Sequence, residues 1–435
     1  MIYQDQSQNV VDGDWGQVID IEYENDEQGI DKATLRKISI GLNRIYGHNG
    51  ESYYIPISVA HLSALESFSK RLFETDDLPY RVKRRNGIEC YVALRMAYDI
   101  KLLPAYARIY SPSLAFPPDF DLFFEVYPQH EISQYGHIEW LPSDDEDRMG
   151  EIIHDVEPRY AEMAINFVLK IREAARKKQL AKRMRDWLSG CHRNRRYLRS
   201  FMIGILEEHA RIMVVDVVFL YRRSACENQT EAIARGIKLR ERSEREYLAY
   251  LDGTETDEVS DRVISLYELK EDLKTFFNNA RHKPSLFGKD KFIDYFGRIE
   301  YSRDVGYHAH MCFFYKGSEA QRHIWYSHEI GKYFAKITEG RGYYFSANAK
   351  AAEGKYRNVG VGIVEHDDFE KIRHLWTAVS YFVKASQVVR VKNTGKEQMV
   401  LHGKRRERRG VKLGRPRETG LTDQEYRSRL ERIFV

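Results

Sequence analysis

A chain of 435 residues has room for about three domains. Its 69 Lys and Arg stand against 65 Asp and Glu, a formal net charge of +4, so total charge points to no partner class. The four scattered cysteines (Cys90, Cys191, Cys226 and Cys312) form no CxxC pair, which argues against a zinc ribbon or a disulfide framework and fits a reducing cytoplasm.

The N-terminal stretch "MIYQDQSQNV" lacks the basic and apolar regions of a secretory signal. No apolar run reaches the ~18 residues that a membrane helix needs, so no membrane partner is expected. The charge is unevenly spread. Between Lys170 and Ser200 lie 12 basic residues and two acidic ones, and between Lys404 and Arg417 eight basic and one acidic. Acidic runs sit apart, at "SDDEDR" and "DGTETDE". Such segregation fits a polyanion footprint.

Residues 1–155 read as a mixed α/β accessory region without evident chemistry. In it "YYIPISVAHLSALESFSKRLF" is a strand followed by a helix, and the proline-rich "SPSLAFPPDF" is a loop. Residues 156–204 are a basic helical segment. The stretch "RYAEMAINFVLKIREAARKKQLAKRMRDWL" keeps apolar residues near helical spacing and turns a basic face outward. Lys177, Lys178, Lys182, Arg183, Arg195 and Arg196 are its candidate nucleic-acid contacts.

From residue 205 to 398 the pattern changes. "ARIMVVDVVFLYRR" is a β-branched and aromatic run of strand length, and "ELKEDLKTFFNNAR" is a helix. "FIDYFGRIEYSRDVGYHAHMCFFYKG" reads as two strands around a short turn. "HEIGKYFAKIT" is helical, and "GYYFSAN" and "NVGVGIVEHDD" bracket a further hairpin. "DFEKIRHLWTAVSYFVKAS" is a helix capped by Asp367 or Asp368. The expected fold is α+β, an antiparallel sheet with helices packed on one side. Residues 399–435 read as a basic tail.

Alternation along a strand puts His308, His310, Cys312 and Phe314 on one face of "GYHAHMCFFYKG". Both faces are largely apolar, so the strand is expected at the centre of the sheet. A buried imidazole there is costly unless bonded or liganded. Two of them, about 7 Å apart at the backbone, can converge on one ion. With a loop at Ser302–Gly306, Glu300 faces His308 and joins them, although a one-residue slip would send it to the other face. Two imidazoles and a carboxylate suit Mg²⁺ or Mn²⁺ when phosphate completes the shell, and imidazole also accepts Zn²⁺ or Co²⁺. Asp216 reads as a buried acid bonded to backbone groups, with a fourth ligand as the competing reading.

On the last helix Phe369, Ile372, Leu375, Trp376, Val379, Phe382 and Val383 form an apolar stripe. Tyr381 lies nearly opposite its centre, with Lys384 one turn on. A phenol and an ammonium so spaced can serve as nucleophile and charge stabiliser for attack on phosphate.

The segments "GRIEYSRDVGYHAHMCFFYKG" and "AVSYFVKASQ", in that order, resemble the inovirus-type rolling-circle replication initiators with a YagK/YfjJ-type C-terminal domain, in the HUH endonuclease superfamily. The resemblance covers about residues 205–395. It implies an HUH/Rep-type catalytic domain, a ferredoxin-like variant. It also implies a site-specific single-stranded DNA endonuclease and ligase that starts rolling-circle replication of a filamentous phage, prophage or plasmid. On that resemblance Glu300, His308 and His310 hold Mg²⁺ or Mn²⁺. Tyr381 attacks the scissile phosphate to leave a 5′-phosphotyrosine and a free 3′ hydroxyl, and Lys384 assists. The implied partners are single-stranded origin DNA and a host helicase and polymerase. Arg298 is a candidate DNA contact, as are Arg405, Arg406, Arg415 and Arg417 of the tail, where Gly-Arg-Pro-Arg resembles a minor-groove hook. The residue between the histidines, Ala309, is smaller than the family's usual bulky aliphatic. The alternatives are a non-catalytic DNA- or RNA-binding regulator and a metal-dependent nuclease without a covalent step.

Overall fold

The computed structural model describes residues 42, 44–48, 51–54, 60–85, 88–135, 156–254, 262–354, 356, 359–392, 399–403 and 421–434. In chain order the N-terminal part comprises β1 (Arg44–Tyr46), β2 (Ser52–Tyr54), α1 (Ala60–Glu74), β3 (Tyr80–Arg85), β4 (Ile88–Ala93), α2 (Arg95–Lys101), α3 (Leu103–Ala107), β5 (Leu114–Ala115), α4 (Pro118–Val126) and α5 (Pro158–Lys177). Next come α6 (Leu180–Glu208), β6 (Arg211–Tyr221), α7 (Gln229–Asp252), α8 (Leu266–Ala280), α9 (Pro284–Phe287), β7 (Phe292–Ser302) and β8 (Gly306–Lys316). The chain continues through α10 (His323–Ile337), β9 (Gly342–Ser346), α11 (Ala347–Ala352), β10 (Gly362–Glu365), α12 (Phe369–Val388), β11 (Arg390–Val391), β12 (Val400–His402) and α13 (Asp423–Ile433). None of these helices is long and apolar enough to cross a membrane.

The fold is α+β. Its main sheet is antiparallel, in the order β10-β6-β8-β7-β12, with β9 also paired to β6. The two longest apolar runs explain the centre. Every residue of β6 after Arg211 is buried, and β8 is buried along nearly all its length. Strands that read as continuous apolar runs are covered on both faces. Here α6, α12 and α13 pack on the face of Cys312 and Phe314, while α8 and α10 pack on the face of Met311 and Phe313. The one-sided cover expected from the sequence is therefore replaced by cover on both sides. Stacking of Phe219 on Phe334, 4.3 Å between ring centres, ties α10 to the sheet. Burial of each such ring stabilises the fold by about 1.5–3 kcal/mol.

Three further expectations are revised. "GYYFS" and "GIVE" do not form a hairpin. β9 pairs with the C-terminal half of β6 and β10 with its N-terminal half, with α11 between them. The gap this leaves beside Asp216 is closed by Asn348, which is fully buried. Its Oδ1 accepts from the Asp216 backbone N–H at 2.7 Å and its Nδ2 donates to the Val214 carbonyl at 2.9 Å. Replacing Asn348 with Leu strands both groups. The expected loss is about 2–4 kcal/mol in urea unfolding; a loss below about 0.5 kcal/mol would show that the gap is filled otherwise.

The helical segment breaks at Gln179, whose φ is 52°, and resumes as α6, which runs past residue 204 into the core of the sheet domain. Leu180 and Met184 of α6 pack into the N-terminal core, and Leu198 through Leu206 into the sheet core, so α6 is a spine shared by both. Part of the expected tail is also structural. β12 pairs with β7, and α13 carries a Thr422–Glu425 capping box and buries Tyr426 and Leu430.

The N-terminal part is mostly helical around Phe68, Tyr106, Phe123, Tyr127 and Phe167, with the β3–β4 hairpin against that core, whereas Ile45 and Tyr46 of the β1–β2 hairpin pack with residues of the sheet domain. Tyr301 and Tyr381 of the sheet domain pack against the N-terminal core.

Candidate active site

The β7–β8 turn sets the register. Gly306 adopts φ +80°, and a Cβ there would stand 2.4 Å from the backbone nitrogen of Ile264, so only glycine fits. From this turn Ser302 pairs with Gly306, Tyr301 with Tyr307 and Glu300 with His308, the pairing that the alternation predicts. His308 is 2 % exposed. Its Nε2 stands 3.6 Å from Glu300 Oε2, and its Nδ1 lies 3.4 Å from the Gly306 carbonyl. Glu300 Oε1 is buried and accepts no hydrogen bond among the described residues.

His310, one step along the same face, turns the other way. Its Nε2 meets Asp216 Oδ1 on β6 at 2.7 Å, and the Cys312 thiol donates to Asp216 Oδ2 at 3.6 Å. Asp216 is thus bonded by side chains rather than by backbone groups as expected, and it sits beside His310 as an orienting carboxylate. Among the described residues no three His, Cys, Asp or Glu side chains are gathered around one point. The donors form two pairs, His308–Glu300 and His310–Asp216.

The chemistry of these pairs fits a cation. With a carboxylate engaging Nε2 of His310, the Nδ1 of a neutral ring is left as a lone pair. His308 Nε2 faces Glu300 Oε2, an arrangement that takes either a proton or a metal ion between the two groups. The unbonded Glu300 Oε1 is a further oxygen donor within the His308–Glu300 pair.

The charges agree. Burial pushes the Glu300 carboxyl up, but His308, His310 and Arg298 outweigh it and hold the group at about 2. Burial disfavours the His310 imidazolium, yet Asp216 and then Glu300 outweigh that and raise its pKa above the ordinary histidine range. A proton therefore competes with an ion at His310 up to a higher pH than at a free histidine. Mn²⁺ affinity measured by calorimetry is expected to rise about tenfold per pH unit from pH 6, levelling only above the raised His310 value. A flat profile from pH 6 to 8 would remove His310 from the ligand set.

Helix α12, capped by Asp368 Oδ1 on the Lys371 N–H at 3.0 Å, brings the tyrosine in. Its apolar stripe buries Ile372, Leu375, Val379, Phe382 and Val383 in the sheet core. The Phe382 ring packs on the His310 ring, 4.7 Å between centres and nearly perpendicular. Arg298 Nη1 donates to the Phe382 carbonyl at 3.0 Å. Arg298, read from sequence as a DNA contact, is 8 % exposed. It is a strut that holds α12 on β7. Tyr381, next to Phe382, is half-buried between the two cores. Burial and the Glu300 charge push its phenol well above the ordinary range, while Arg298 and Arg44 pull it down. Lys384 lies half-buried on the following turn.

The basic residues divide. Lys182, Arg185, Arg193 and Arg196 are exposed and share one face of α6, spaced by three, eight and three residues. Lys177 and Lys178 are exposed but pair with Glu173 and Glu125, and Arg183 is exposed near Asp121. Arg195 is half-buried, and burial together with Arg199 lowers its pKa. Arg405, Arg406, Arg415 and Arg417 lie outside the described residues.

Sequence reading missed Asn348 and the residues of β1. Tyr46, 4 % exposed, sets its ring edge-on to His308 at 6.0 Å. The signal for its hairpin was the Asn-Gly step in "RIYGHNGESYY". No family model matches the chain, no curated protein matches it, and no solved structure matches it.

Proposed function

We propose that the chain is a metal-dependent endonuclease and strand-transferase acting on single-stranded DNA, an HUH-type initiator of rolling-circle replication. The observation that carries this reading is the packing of Phe382 on His310, with the neighbouring Tyr381 near enough to Glu300 to feel its charge.

In this reading His308, His310 and Glu300 would hold a divalent ion such as Mn²⁺ or Mg²⁺, whose binding would draw the His308–Glu300 and His310–Asp216 pairs together, with Asp216 fixing His310. Such an ion would supply charge neutralisation at the scissile phosphate and at Glu300. The Tyr381 oxygen attacks phosphorus, and the bond from phosphorus to the 3′ oxygen breaks. The phenol proton ends on the released 3′ hydroxyl, and the 5′ phosphate stays on the tyrosine. Reversal by a second 3′ hydroxyl gives ligation. Lys384, one turn away, steadies the negative charge that develops. Arg298 keeps the phenol in place through the backbone of Phe382. The exposed face of α6 gives the DNA backbone a salt-sensitive path.

The test incubates the chain with a labelled, randomised pool of single-stranded oligonucleotides and Mn²⁺. A protease-sensitive, denaturant-resistant adduct that chelator prevents is expected. Binding without an adduct would favour a regulator, and cleavage without an adduct a nuclease that uses water.

A further inference from the structure

We propose that β1 lends the site a phosphate-binding residue, Arg44, and that this is what the N-terminal part contributes to the nicking reaction. The inference rests on the function proposed above. β1 is fastened to the frame of the site at both ends. Ser302 Oγ donates to the carbonyls of Leu42 and Arg44 at 3.3 and 3.1 Å, and the Arg303 N–H donates to Leu42 at 3.2 Å. Beyond it, the Cys226 N–H donates to the Tyr46 carbonyl at 2.9 Å and the His48 N–H to the Cys226 carbonyl at 3.1 Å.

Arg44 and Tyr46 are two residues apart in a strand and so share a face. That face is fixed by the Tyr46 ring against His308. The Arg44 guanidinium lies 5.8 Å from the Tyr46 ring centre, and its Nη1 reaches the Tyr46 hydroxyl at 3.5 Å. Its charge acts on Tyr381 and on His310 as well as on Tyr46. A guanidinium in this position stands on the tyrosine that abuts His308, within electrostatic reach of Tyr381 and His310. Glu300 and Asp216 make the site anionic, Arg298 is turned to the Phe382 carbonyl, and a phosphodiester entering here needs a cation. The planar fork of arginine suits two phosphate oxygens at once.

The experiment compares native chain, Arg44→Ala, Arg44→Gln and Arg44→Lys, using the randomised single-stranded pool. It reads equilibrium binding against salt, adduct rate at limiting and saturating DNA, and melting temperature. For Arg44→Ala and Arg44→Gln we expect about tenfold weaker binding and a log–log salt slope shallower by about one. Adduct formation at limiting DNA should fall about 10²-fold. Arg44→Lys should recover the salt slope and only part of the rate. If Arg44→Ala unfolds, Arg44→Gln carries the comparison.

Native binding, slope and rate in folded Ala or Gln variants would overturn the role of Arg44 and leave the nicking reading intact. A native chain that binds DNA without an adduct, with binding and slope still lost in the variants, would overturn nicking and keep Arg44 as the phosphate contact. A native chain that neither binds nor forms an adduct would overturn both.

Discussion

Tyr381→Phe is expected to lose the covalent DNA adduct entirely, a fall of about 10³-fold or more in single-turnover cleavage, with DNA binding unchanged. The substitution removes one oxygen and keeps the ring that fills the seam between the two cores. A half-buried hydroxyl is worth about 1 kcal/mol or less, so the melting temperature should hardly move. The phenol rests in a neighbourhood that resists ionisation. Burial and Glu300 disfavour the phenolate, and Arg298 and Arg44 offset them only in part. A cation at Glu300 would lift the largest opposing charge, so attack by this oxygen should depend on metal. Cleavage by the Phe variant at the native rate would assign the chemistry to water.

The second large effect concerns His308. Removing its imidazole leaves the Glu300 carboxylate buried without its partner. His308→Ala should lose about 3–5 kcal/mol of stability, the usual result of breaking a buried pair. Adding Glu300→Gln takes away the stranded charge and should return a good part of that loss. Neither variant should recover Mn²⁺ binding, which is expected to weaken at least about 10²-fold, together with the rise in melting temperature that Mn²⁺ gives the native chain. This pairing separates two roles. A histidine that merely satisfies a buried acid would show the stability changes alone, and a ligand would show both. An equal rise in melting temperature with Mn²⁺ in native and His308→Ala chains would remove His308 from the site.

What could be read from the sequence follows its physical regularities. The period-two pattern of "EYSRDVGYHAH" showed which side chains share a face, and a loop at Ser302–Gly306, which the structure has, puts Glu300 opposite His308. The apolar stripe of α12 put Tyr381 nearly opposite its centre, but not in the seam it occupies between the sheet core and a second core. That meeting needs contacts between residues separated by hundreds of positions, for which one sequence carries no signal. The partner of Asp216 was missed for the same reason, because the carboxylate reaches His310 diagonally across a strand pair. The layering was misjudged because α8 and α10 look like surface helices until their buried sides are placed against Met311 and Phe313. α13 was legible in part. "TDQE" is a capping box followed by apolar residues at 426 and 430, but the basic run before it dominated the reading. That Arg298, read as a DNA contact, is buried against the Phe382 carbonyl was not legible, because charge alone does not tell a strut from a DNA-binding group.

The most direct measurement is mass spectrometry of the tryptic peptides left after reaction with single-stranded DNA and Mn²⁺, followed by nuclease trimming. A nucleotide 5′-phosphate carried on Tyr381 is the expected finding. The same mass on another tyrosine, or cut DNA with every tyrosine unmodified, would contradict the proposal.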